Sequence, residues 1–442
     1  MKQMRSFLAM ALALTALAGC NKENEVPDMN PGVEGVKTYA AFSVSVKAAE
    51  STRAATPSDA NADAVEQSIS TLNLFIFNGG VLETTGTITL GANNVGTTTL
   101  VTTTGAKEIY AVANAKSDMT LAIGKTLADF KALAVNAGTT DAAADNNIAA
   151  TGAFVMIGKT EVTLAVQDEV NAISNPIAIT VARGAAKVQM QYNSATVTIN
   201  ANLMGTFSEP KYLVAQMNTK MFLPRQDYEL TPVGATADQA DTTPDGTSDH
   251  LTTVPADMAN AKDAATAWDY QFTNSFYTAE NVNEAPVTGN TTFALVQLKY
   301  VPDESEIQGS NKDLAPDGTF YLLWNKTAKT GTIYADQSEA NTAQAQESSN
   351  LEVKTYTGGR CYYRVNLRDI AKTALQQKYC VLRNHFYKIN ITQINSLGGS
   401  STTDPDVVVP TEPTTPLEES TYISADITIE AWNAILMNEP LG

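Results

Sequence analysis

Both ends of this 442-residue chain carry the same alternation. Near the start, Phe42-Ser43-Val44-Ser45-Val46-Lys47 steps from apolar to polar and back, and at the end Ile423-Ser424-Ala425-Asp426-Ile427-Thr428-Ile429-Glu430 does the same. A period of two is the mark of a strand with one buried face. Behind the first strand, a lone arginine lies among small residues and proline, in Ser51-Thr52-Arg53-Ala54-Ala55-Thr56-Pro57. Ahead of the last strand, Gly398-Gly399-Ser400 opens a stretch holding Pro405, Pro410, Pro413 and Pro416. Such a stretch reads as an extended, semi-rigid tether, at about 3.1 Å per residue where polyproline-like. The first strand is thus removable and the last portable. A chain built this way can lose its own strand and accept a neighbour's, with the tether carrying the last strand away from its own domain.

Length alone predicts two or three domains. Hydrophobic residues make up 43% and charged residues 17% of the chain, enough to pack cores beneath a surface of Thr, Ser, Asn and Ala. The net charge of -18 argues against nucleic acid, because phosphate binding needs a concentrated Lys/Arg surface. Lys2 and Arg5 followed by an apolar run from Phe7 to Ala18 form an export signal, too short to span a membrane. The run ends in Leu17-Ala18-Gly19-Cys20, which resembles the lipobox of bacterial lipoproteins. That likeness implies a lipid on Cys20, with residues 21–36 as a flexible tether to the first strand. The remaining cysteines, Cys361 and Cys380, stand at the inner ends of two strand-like runs. An exported chain can pair them in a disulfide, the alternative being two separate buried thiols. With only two histidines, His250 and His385, far apart in sequence, no metal site is expected.

Strands are expected at 73–78, 84–104, 107–114, 154–158, 177–181 and 188–192, and again at 212–216, 291–300, 319–324 and 386–394. Thr126 caps a short helix with apolar positions at Leu127, Phe130 and Leu133. Short, regularly spaced strands point to an all-β chain of sandwiches. The polar stretches 234–265 and 326–350 read as exposed loops. Trp268, Tyr277, Tyr321 and Trp324 are candidates for stacking on sugars, or are core. Asp and Glu pairs are abundant, yet no Ser-His-Asp order, phosphate loop or calcium-loop spacing stands out. Neither an enzyme nor a cofactor is expected.

In the last strand, Ile423, Ala425, Ile427 and Ile429 share one face. Three isoleucines at about 1.5–3 kcal/mol each on burial can anchor it. A slip by one residue would bury Asp426 and Glu430, so its register is well specified. Trp432 breaks the parity and caps the end of the groove. On the first strand, Phe42, Val44 and Val46 form the matching face.

At these residues the chain resembles the fimbrillin superfamily, the lipoprotein-derived type V pilins, and within it the major subunit of short (minor) fimbriae. The likeness rests on Lys37-Thr38-Tyr39 with Thr52-Arg53-Ala54 behind it, on Val181-Ala182-Arg183-Gly184-Ala185-Ala186-Lys187-Val188, and on Tyr277-Thr278-Ala279-Glu280-Asn281. It also rests on Val381-Leu382-Arg383-Asn384-His385-Phe386-Tyr387 and on Ser424-Ala425-Asp426-Ile427-Thr428-Ile429-Glu430-Ala431-Trp432. The resemblance implies two tandem transthyretin-like β-sandwich domains and a C-terminal donor strand on a Pro-rich tether. The expected order is a signal peptide (1–20), a propeptide with the removable strand (21–53), domains at 54–187 and 188–397, and linker plus donor strand (398–442). It implies an outer-membrane lipoprotein cut between Arg53 and Ala54 by an arginine-specific protease. Its partners would be identical subunits in a homopolymer and other fimbrial subunits, in a cell-surface fimbrium. The alternative expectation is a monomeric or tip-located surface adhesin that binds glycan or protein.

Overall fold

The computed structural model describes residues 35–46, 62–91, 94–138, 147–224, 251–283, 285–346, 350–417 and 422–432. The expectations at Cys20, Arg53 and Ala54 lie outside the described residues. The chain is predominantly β, in layered sheets around two main cores.

The N-terminal half is built on a six-stranded sheet. Its order is Phe42–Val46, Ile177–Arg183, Met156–Leu164, Gly105–Ala113, Thr71–Asn78, Val81–Thr89. The first pair is parallel and the others antiparallel. Over this sheet lies the helix Leu127–Lys131, capped by Thr126 and Asp129 in a reciprocal capping box. The helix drives Phe130 into the core, 4.9 Å from Phe75 and 4.8 Å from Tyr110 between ring centres. The short strand Lys37–Ala40 pairs with Leu100–Thr103, away from the main sheet. One N-terminal segment therefore feeds two sheets.

The sheets change hands at Gly184. Ile177–Arg183 belongs to the N-terminal sheet, whereas Ala185–Gln191 enters the C-terminal one. There the order is Phe276–Ala279, Ala185–Gln191, His385–Ile394, Ile423–Ala431, with Thr198–Ile199 along the outer end of His385–Ile394. Facing it are Lys262–Asp263, Gly205–Ala215, Phe293–Pro302 and Arg360–Asn366. Val188, Met190 and Ile389 from one sheet meet Tyr212, Val296 and Tyr363 from the other, all buried. Facing apolar sides are what hold a sandwich together. A further sheet, ordered Ile307–Gln308, Thr330–Tyr334, Phe320–Asn325, Leu351–Tyr356, extends this half.

Two expectations are corrected. Much of the stretch 326–350 is not loop: it holds the strand Thr330–Tyr334 and the helix Gln337–Gln346. Only Ala340 of that helix is buried, so its sequence is polar almost all round and carries little apolar periodicity. Nor are Cys361 and Cys380 bonded. Both are free and buried, in separate apolar clusters, and burial pushes each thiol up to about 12.

Candidate functional site

The two end strands are both edge strands. Phe42–Val46 forms a ladder with Ile177–Val181, from Phe42 opposite Ile177 to Val46 opposite Val181, and on its other side only a single bridge from Ser43 to Val95 is found among the described residues. Phe42 and Val44 are buried and Val46 is packed against the same core. A few further contacts hold the strand: Gly96 donates to the Phe42 carbonyl at 2.7 Å, and Ile177 donates to that of Ala41 at 2.8 Å. Without this strand, the edge of Ile177–Arg183 and the core side chains Ile179 and Val181 are laid open.

The closing strand, Ile423–Ala431, pairs antiparallel with His385–Ile394 of its own chain. Ile423, Ala425 and Ile427 are buried, Ile429 half so, while Asp426 and Thr428 are exposed. Its face is the one expected, but it is parked at home rather than carried away. The reason lies in the tether. Gly399 and Tyr362 exchange backbone hydrogen bonds at 2.7 and 2.9 Å. Gly398 passes so close that a Cβ there would stand 2.3 Å from the Tyr362 carbonyl oxygen. Val408 is fully buried among Leu213, Phe293 and Leu295 on the outer face of the facing sheet. The carbonyl of Pro413 accepts from Gly289 at 2.8 Å. Lys354 grips Asp404 at 3.1 Å and Asp406 at 2.8 Å. Proline lacks an N–H but keeps its carbonyl, so an extended tether can still dock along a surface.

Beyond the strand, Trp432 turns to the opposite face and enters the N-terminal core, where it is 0% exposed. Its ring stacks on Tyr277, 5.7 Å between centres and 22° between planes, and meets Phe154 edge-on at 5.8 Å. The Arg183 guanidinium lies 4.5 Å from its centre. Beneath sits the buried carboxylate of Glu66. Its Oε2 accepts from the Trp432 indole at 3.0 Å and the Asp63 backbone at 2.7 Å. Its Oε1 accepts from Lys187 at 2.9 Å and from the Tyr277 hydroxyl. Arg183 donates to the carbonyls of Glu66 and Trp432, at 2.9 and 3.0 Å. Burial lowers the pKa of Arg183 and Lys187, an effect that Glu66 opposes, and burial with Glu66 raises that of Tyr277. A buried charge cluster of this kind tolerates the loss of no single partner.

Sequence reasoning placed the two end strands and Trp432, but not Glu66 or its partners as a cluster. The available signal was Arg183 and Lys187, two cations four residues apart inside otherwise apolar strands. Of the aromatic candidates, Tyr277 is core, Trp268 carries Lys388 over its ring, and Tyr321 and Trp324 are half-buried. Among the described residues, no group of three or more His, Cys, Asp or Glu side chains is placed to hold a metal ion.

A layered β-chain closed at both ends by edge strands, with ordered charge at its centre rather than in a cleft, has the build of a structural subunit. Comparison gives the class. Residues 40–215 match the family described as major fimbrial subunit protein (FimA). Residues 354–438 match the C-terminal model of fimbrillin, major fimbrial subunit protein type IV. Two sequences of the minor fimbrium subunit Mfa1 of Porphyromonas gingivalis are 25% and 24% identical, each over 98% of both chains. Among solved structures, a fimbrilin (FimA) from Porphyromonas gingivalis W83 aligns with a TM-score of 0.48 and 16% identity, covering 90% of this chain and 98% of its own. The tip fimbrial protein Mfa3 of the same species aligns at 0.38 and 13%, covering 90% and 100%. The chain belongs to the fimbrillin superfamily. It is a fimbrial subunit, from families of structural proteins rather than enzymes.

Proposed function

We propose that this chain is a stalk subunit of a cell-surface fimbria, exported as a lipoprotein through Cys20, cut after Arg53 and assembled by donor-strand exchange. The observation that carries this reading is the match of place and direction between the two end strands. Phe42–Val46 runs parallel to Ile177–Val181, from the outer end of the N-terminal half towards Arg183 at the junction. The closing strand begins at the outer end of the C-terminal half, with Ile423 opposite Ile394, and ends near the junction. A closing strand that leaves the outer end of one subunit and enters the outer end of the next runs in the direction of the strand it replaces. The residues that fill the groove alternate alike: Phe42, Val44 and Val46 go out, and Ile423, Ala425, Ile427 and Ile429 come in. Main-chain pairing to the Ile177–Arg183 edge supplies attachment, and the alternating side chains supply register. The parked strand is the storage form, in which the chain stays monomeric until a neighbour's groove opens. Identical subunits, other fimbrial subunits and an arginine-specific protease are the partners on this reading, with adhesion and biofilm formation as the outcome.

The test treats the chain lacking its first 20 residues with an arginine-specific protease, then reads the new N-terminus, the elution volume and negative-stain images. An Ala54 start with laddered multimers or fibres supports the stalk. An Ala54 start with monomers alone favours a monomeric or tip-located adhesin, for which a parked closing strand is the final state. An intact Arg53 bond overturns the maturation step.

A further inference from the structure

We propose that the C-terminal half holds a binding site for a neutral oligosaccharide, separate from both end strands' pairing faces. A cavity of about 990 Å³ opens between the sheet containing Phe320–Asn325 and the segments that follow Thr198–Ile199 and His385–Ile394. This is the upper end of the size range for ligand sites, about 300–1,000 Å³. Trp324, Tyr334 and Tyr422, all half-buried, contribute aromatic faces to its lining. Trp324 pairs across the ladder with Gly331, which adds no side chain beside it, and the Lys354 ammonium stands 5.8 Å from its ring centre. The indole N–H of Trp324 is buried and makes no hydrogen bond to any described residue, a donor that the protein leaves over. Amides stand around these rings: Asn200, Asn202, Gln308 and Asn395.

The chemistry selects among ligands. The wall gives an anion no net charge to bind: Lys354 is committed to Asp404 and Asp406, and Lys329 is offset by Glu306. Asn200 and Asn395 already donate to the Asn395 carbonyl and to Ser424, at 3.0 and 3.2 Å, but an acyl chain would leave the side chains of Asn202, Gln308, Ser396 and Thr332 facing hydrocarbon. A sugar ring presents an apolar C–H face and a rim of hydroxyls. The first suits flat aromatic side chains, and the second suits amides that both donate and accept. Tyr422 and Val407 belong to the wall, so the site is complete only while the closing strand and its tether are parked.

The experiment uses the uncleaved monomer, so its result does not depend on strand exchange. Neutral trisaccharides of glucose, galactose, mannose and N-acetylglucosamine are titrated by saturation-transfer NMR and tryptophan fluorescence. We expect at least one series to saturate. Trp324→Ala weakens it by about tenfold or more, and Asn202→Trp, at an exposed position, blocks the mouth with circular dichroism unchanged. Binding by no member of the panel overturns the proposal. So does binding that survives Asn202→Trp at full strength, a variant that remains informative should Trp324→Ala fail to fold.

Discussion

Trp432 and Glu66, 366 residues apart in the chain, are joined by a buried hydrogen bond of 3.0 Å from the indole nitrogen to Oε2. The last described residue of the C-terminal segment is thereby fixed into the N-terminal core. The bond connects the closing strand's position to the junction between the two halves. Release of that strand must draw an aromatic ring out of a packed pocket and leave Glu66 one donor short.

Trp432→Ala should therefore loosen the parked form. Removing a fully buried tryptophan typically costs about 3–5 kcal/mol, and part of the loss here falls on the closing strand alone. The urea midpoint should drop, and amide exchange along 423–431 should rise before exchange in Ile177–Arg183 does. Trp432→Phe keeps most of the packing but not the indole donor, and should cost about 1–3 kcal/mol. Equal stability of all three proteins would remove the junction bond from the account of storage.

Ile427→Asp places a carboxylate opposite Ile389, within the apolar cluster. The strand is at an edge and its neighbours do not depend on it for their own pairing, so the rest of the subunit should stay folded. Assembly should fail if subunits join by the proposed exchange, in which the same residue fills the groove vacated by Phe42–Val46. Fibres of ordinary length from this variant, seen by negative stain, would refute donor-strand exchange.

Cys361 and Cys380 offer a direct check on the absence of a disulfide. Each is buried, with its thiol pushed up to about 12, so alkylation of the native protein at neutral pH should be slow at both. After unfolding without reductant, mass spectrometry should show two alkyl groups on the protein that lacks its first 20 residues. A product with no alkyl groups would mean a bond had formed.

The strands that carry the end-to-end relationship were legible because alternation is a local signal. Phe42–Val46 and Ile423–Ala431 each display it within a few residues, and Thr126 announces its helix as plainly. The break in side-chain parity at Trp432 was also readable, as a cap on a groove, though not which groove. What stayed hidden was long-range. Nothing near Glu66 says that its four donors come from residues 63, 187, 277 and 432. The tether misled for a different reason. Its prolines report an extended backbone correctly, but whether extended chain leaves the surface is decided by Val407, Val408 and Val409, which pack on the sheet's outer face. The helix Gln337–Gln346 was lost because helices with almost no buried face resemble polar loops.

The tether's grip should respond to acid but not to mild alkali. The hydrogen bond from Lys354 holds the Asp406 carboxyl below its ordinary value of 3.8, outweighing burial. Burial would lower Lys354, but its bonds to Asp406 and Asp404 win and raise it above 10.5. In the window between Asp406's folded and unfolded pKa, the unfolded chain binds more protons, so stability rises with pH. The Asp406 contribution is complete above its ordinary value and is lost as pH falls through the folded one. The Lys354 contribution has the opposite sign: it is complete below 10.5 and lost only as pH rises through a higher value. The clamp is thus fully formed across the neutral range. Wild type should exceed Asp406→Asn by a margin of the size seen for surface ion pairs, about 0.2–1 kcal/mol, constant between about pH 5 and 9. Below about pH 4 the two unfolding curves should converge, and proteolysis within 398–417 should quicken in wild type. A difference that persists unchanged into acid would show that Asp406 holds the tether by shape rather than by charge.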